Sequence, residues 1–160
     1  MRMLLRKGLI VDGSGGDPYT GDLLINGKTI EAVTERGIGF RGKTVDCTGK
    51  VIAPGFIDAH SHLDWILGFK GHQKLTDPFI AQGVTTLVTG NCGFGVAGFL
   101  TGSPYKELIE TRVGSFIGRD SVPWDTMEDY FSVLRRQGIS HNIVNLAGHG
   151  TSRMSIRGFN

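Results

Sequence analysis

The stretch Val51-Ile52-Ala53-Pro54-Gly55-Phe56-Ile57-Asp58-Ala59-His60-Ser61-His62-Leu63-Asp64 decides how the chain is read. It is an apolar run that passes a Pro-Gly break and ends in polar side chains. A strand buried on both faces reads as a continuous apolar run, so its polar residues collect at the tip. The same form recurs twice downstream. Val84-Thr85-Thr86-Leu87-Val88-Thr89 ends at Gly90-Asn91-Cys92-Gly93, and Asn142-Ile143-Val144-Asn145-Leu146-Ala147 ends at Gly148-His149-Gly150.

Helical patterns lie between these runs. Pro104 opens one through Tyr105 to Phe116, with Leu108, Ile109 and Arg112 at helical spacing. Asp125 or Thr126 caps another that passes Met127, Tyr130, Phe131 and Leu134 and stops at Gly138. Strands alternating with helices predict an α/β class with a parallel sheet of β-α-β units. A closed barrel of such units takes about 250 residues and eight strands. Only three strands of this type are legible here, so the barrel reads as incomplete.

Upstream of the Pro-Gly break the character is all-β. Leu9-Ile10-Val11 leads into the turn cluster Asp12-Gly13-Ser14-Gly15-Gly16. Asp22-Leu23-Leu24-Ile25, Asn26-Gly27 and Lys28-Thr29-Ile30-Glu31-Ala32-Val33 form a hairpin signature, and Thr44-Val45-Asp46-Cys47 reads as a further strand. The expected division is residues 1–53 as the β segment and 54–160 as the β/α segment.

Bulk properties exclude several classes. The chain has 160 residues with 20% charged and 39% hydrophobic, which is ordinary for a folded domain. Its 25 glycines are roughly twice the usual share, without a period, and read as many tight turns. A net charge of +2 without a basic block gives no nucleic-acid surface, and Arg135-Arg136 reads as the favoured end of a helix. No run approaches the ~20 apolar residues of a membrane span, and no secretory signal is legible. Two cysteines are too few for a disulfide scaffold. A cytoplasmic protein is expected.

The strand tips carry the chemistry. Residues two apart on a strand face the same way, so His60 and His62 can converge on one ion while Ser61 faces away. Zinc takes histidine nitrogen at about 2.0–2.1 Å and thiolate sulfur at about 2.3 Å, and Cys92 offers a soft ligand that disfavours magnesium and calcium. The alternatives are two exposed histidines at a strand edge and a buried cysteine that behaves as a small hydrophobe. His149 occupies the corresponding place after the third strand, either lining the same pocket or capping the strand. Asp58 and Asp64 flank the histidines, and either can orient an imidazole through its second nitrogen, Asp64 being the better placed. His72 and His141 read as solvated loop residues.

Taken together, Val51 to Asp64, Gln82-Gly83-Val84-Thr85-Thr86 with Gly90-Asn91-Cys92-Gly93, and Trp124 through Arg153 resemble the amidohydrolase superfamily, within it the D-aminoacylase branch. The resemblance implies a (β/α)8 barrel, of which this chain carries the N-terminal part, flanked by a small β-sandwich to which the early strands contribute. It implies zinc held by His60, His62 and Cys92. It further implies two more histidine ligands and a general-base aspartate from segments past residue 160. Leu63 departs from the family pattern, where a more polar or aromatic residue is expected.

The activity implied is deacylation of a small-molecule N-acyl-D-amino acid by the complete protein, with this chain alone inactive. Two other readings stay open. One is a cyclic-amidase relative of dihydropyrimidinase or dihydroorotase type, which would not need Cys92 as a ligand. The other is a non-catalytic truncated product that self-associates through open barrel edges.

Overall fold

The computed structural model describes residues 1–118 and 121–159; within the helix over Lys106–Ile117 the side chains of Ile109, Arg112, Val113, Ser115, Phe116 and Ile117 lie outside the described residues. The chain divides into two compact units, Met1–Pro54 and Gly55–Asn160.

The first unit is a five-stranded sheet. Strands β1 (Arg2–Ile10), β2 (Tyr19–Asn26), β3 (Thr29–Thr34), β4 (Lys43–Asp46) and β5 (Val51–Ile52) are ordered β3-β2-β1-β4, with β5 also pairing on β1. β1–β2 and β2–β3 are antiparallel, whereas β4 and β5 run parallel to β1. The hairpin forms, with Asn26 opposite Thr29 and Gly27 at φ 61°, so the turn residues are Gly27 and Lys28. Ile10, Leu23, Cys47 and Ile52 make the small buried core. Asp22, a buried residue of β2, accepts from the amides of Lys7 and Ile38 at 3.0 and 2.9 Å.

The second unit is built on a parallel sheet ordered β6-β7-β8, from Phe56–Asp58, Val84–Thr89 and Asn142–Asn145. Among the described residues five helices accompany it: α1 (Asp64–Leu67), α2 (Gln73–Ala81), α3 (Lys106–Ile117), α4 (Met127–Gln137) and α5 (His149–Arg157). Thr126 caps α4 through a capping box with Asp129, and Arg135 and Arg136 occupy its last turn. α3 begins at Lys106, two residues later than Pro104 suggests. The core runs from Leu67, Leu87 and Val96 through Trp124 and Tyr130 to Leu134 and Met154. Trp124 sits at its centre, with ring centroids 5.4 Å from Phe69 and 5.1 Å from Tyr130.

His72 and His141 correct the expectation of solvated loop residues. Both are buried, at 4% and 5% exposure. His72 leads into α2, and its Nδ1 lies 3.0 Å from the carbonyl of Phe69. His141 sits just ahead of β8 with both ring nitrogens buried and without a hydrogen-bond partner. Burial pushes its pKa down; Asp77 opposes that, and His72 adds to it. Long-range packing decides these two positions, and no local pattern announces it. Among the described residues no helix is long and apolar enough to cross a membrane.

Candidate metal centre

His60 and His62 lie just past the end of β6 and not within it. Strand alternation nevertheless persists, because the Ser61 amide donates to Val88 O at 3.0 Å and extends the pairing with β7. Ser61 is therefore turned inward and buried, while both histidines face outward and are exposed. Asp58 Oδ1 accepts from the His60 amide at 3.1 Å. Asp58 thus holds the backbone of the motif. The two imidazoles sit edge to face with centroids 5.7 Å apart, and the ring of Trp65 stands 5.8 Å from His62.

Cys92 arrives from the tip of β7 in a short 3-10 turn, Asn91–Gly93. Gly90, at φ 76°, must be glycine for a second reason: a Cβ there would stand 2.3 Å from Leu146 O. Cys92 itself takes φ 57°, a left-handed conformation that a cysteine adopts at a cost. Asn91 anchors the turn by donating its side-chain amide to Val88 O at 2.8 Å and Ser61 O at 3.3 Å. One asparagine thereby ties the two strand tips together.

The result is convergence. Single ligand atoms of His60, His62 and Cys92 lie within 4.8 Å of one another, and Cys92 Sγ is 3.3 Å from His60 Nε2. Tetrahedral zinc leaves a bound nitrogen and sulfur roughly 3.5 Å apart, given its bond lengths. The donor set and spacing therefore fit zinc. No other such group of three or more occurs among the described residues.

The two flanking candidates behave differently. Asp64 is fully buried; Oδ2 accepts from the Val96 amide at 3.2 Å, and Oδ1 has no hydrogen-bond partner. Its carboxylate turns into the core, so it orients neither imidazole. The cause is the turn into α1, which points residue 64 inward. Burial pushes its pKa up to about 7, against the opposing pull of the amides of Val96, Asp64, Trp65 and Gly90. His149 is exposed at the start of α5 and outside the converging set. The adjacent Gly148 packs on the backbone of Gly93 and Gly95, which keeps this helix start beside the Cys92 turn. Leu63, the departure from the expected pattern, packs against the core.

Sequence reading did not single out Asn91, Thr151 or Trp124 as supports of the site. The signal for Asn91 was its place between Gly90 and Cys92, where a side chain must satisfy the carbonyls of a turning backbone.

Residues 43–139 match the model of the amidohydrolase family. The D-aminoacylase of Alcaligenes xylosoxydans xylosoxydans is 33% identical over 154 residues, which is 96% of this chain and 30% of that protein. A crystal structure of D-aminoacylase superposes with a TM-score of 0.79 at 31% identity, covering 97% of this chain and 31% of that one. The N-acyl-D-glutamate deacylase of Bordetella bronchiseptica, solved with zinc and a phosphonate mimic of the tetrahedral intermediate, gives a TM-score of 0.72 at 29% identity over 93% of this chain and 30% of that one. The chain spans about 30% of the length of the curated relatives it matches.

Proposed function

This chain belongs to the amidohydrolase family, and from that premise we propose that the protein it represents is a zinc-dependent deacylase of N-acyl-D-amino acids. The observation that carries the reading is the convergence of His60, His62 and Cys92 within 4.8 Å. The two imidazole nitrogens and the Cys92 sulfur would hold the ion, a donor set that selects zinc over hard cations. Zinc held there supplies Lewis acidity toward an amide carbonyl and toward water. The chain's own contribution is positional: Asp58 and Asn91 fix the backbones that present the three ligands.

The three parallel strands are then the opening strands of a (β/α)8 barrel, and the first unit is the matching part of a small β-sandwich. The fold supports this, since active sites of such barrels gather where the strands end. Under this reading the remaining ligands and a general-base aspartate come from segments that this chain does not span. Two free cysteines are consistent with a reducing, cytoplasmic setting.

The test is elemental analysis of the purified chain beside His60→Ala and Cys92→Ser. About one zinc per chain, lost in both variants, is expected. Zinc that survives both substitutions overturns the site. The same chain turns over no N-acetyl-D-amino acid under this reading.

A further inference from the structure

We propose that Asp64 is a positioning residue for the Cys92 ligand and acts through the peptide of Val96. The proposal rests on the reading of His60, His62 and Cys92 as a metal centre and adds to it the device that holds the cysteine in place. Asp64 follows His62 by two positions and Val96 follows Cys92 by four, so the Asp64–Val96 bond of 3.2 Å ties the histidine segment to the cysteine loop. The grip on Val96 is two-sided. Trp124 Nε1 donates to Val96 O at 2.8 Å, and Val96 and Trp124 are both buried. Asp64 is itself anchored, because Tyr130 Oη donates to its carbonyl at 3.0 Å.

A purely packing role does not need a carboxylate here. Burying one is unfavourable, and an apolar group of similar size serves packing as well. An acceptor for the Val96 amide is what an apolar residue cannot supply. There is also something for the clamp to hold, since Cys92 is kept at φ 57°, and strained backbone persists only where the surroundings over-determine it. The glycine-rich stretch from Gly90 to Gly95 would otherwise have wide freedom. Supports of this kind change metal affinity by about 10–100-fold when removed.

The experiment is a cobalt(II) titration of the purified chain, read by thiolate-to-cobalt absorption in the near ultraviolet, beside hydrogen exchange at the Val96 amide. Asp64→Ala is expected to weaken cobalt binding at least tenfold, shift the thiolate band and expose the Val96 amide to exchange. Asp64→Asn keeps an acceptor oxygen and should restore all three to within about threefold. Trp124→Phe, which removes the opposite grip, is expected to move the same band and keeps the test available if Asp64→Ala does not fold. A folded Asp64→Ala with unchanged affinity, band and exchange overturns the proposal. Absence of the band in the unaltered chain overturns the metal reading instead, and Val96 exchange alone then decides whether Asp64 holds the loop.

Discussion

Thr151 grips Gly95 from both sides: its hydroxyl accepts from the Gly95 amide and donates to the Gly95 carbonyl, each at 2.9 Å. Both residues are buried, so α5 is stapled to the loop that carries Cys92 through groups with no access to water. Thr151→Val keeps the shape and deletes both bonds. It should cost about 2–3 kcal/mol, the penalty for leaving a buried amide and carbonyl unpaired. Urea unfolding measures it, and Thr151→Ser, which retains the hydroxyl, should lie near the parent. Equal stability of the valine and serine variants would show that the staple contributes nothing.

Cys92→Gly separates strain from ligation. Glycine adopts the left-handed conformation freely, so the metal-free chain should gain about 1 kcal/mol. Zinc binding should disappear at the same time. Cys92→Ser loses the thiolate but keeps the β-carbon, so it should gain no stability. Identical unfolding midpoints for the glycine and serine variants would contradict this account.

His141 predicts an acid limb in stability. Its folded pKa is lowered from the ordinary 6.5, chiefly by burial. The unfolded chain therefore binds the proton more readily, and stability falls as pH drops through about 6.5 toward the folded value. Above that pH the imidazole is neutral in both states and the effect vanishes. Asp77, which favours the charged ring, and His72, which opposes it, set how steep the limb is. His141→Leu should flatten the slope of unfolding free energy between pH 7 and 5 without lowering stability at pH 7.5. A slope unchanged by the substitution would assign the limb to other groups.

The sheet of the second unit leaves β6 and β8 each paired on one side only among the described residues. Phe56 and Ile57 are 64% and 66% exposed, and Val144 is 52% exposed. Unpaired parallel edges with apolar side chains promote association. Sedimentation of the chain should give a mean mass that rises with concentration, and Ile57→Lys with Val144→Lys should suppress the rise. A monomer at every concentration would dispose of this expectation.

What was legible before folding was the part written in local pattern. β-Branched runs ending in Gly90-Asn91-Cys92 and in Gly148-His149 disclosed two strand tips, because strand alternation and turn chemistry are properties of neighbours. The Asn26-Gly27 hairpin and the Thr126 cap were readable for the same reason. Asp64, His72 and His141 were not: each owes its burial to segments far along the chain. α2 also escaped notice, since Pro78, Thr76 and Asp77 are poor helix formers and tertiary packing overrides them. The inward turn at Asp64 depends on α1, a helix of only four residues, too short for periodicity to declare.

The contact between Gly90 and Leu146 has a bearing on the order of events during synthesis. The Leu146 amide donates to Thr89 O at 2.9 Å, and its carbonyl closes over Gly90. The turn that presents Cys92 is thus completed by residues translated long after both histidines. Such long-range pairing forms slowly and leaves its parts exposed while it waits. A ribosome-bound chain stalled before β8 therefore holds its two histidines beside a cysteine turn not yet locked, and Cys92 settles only when that strand emerges.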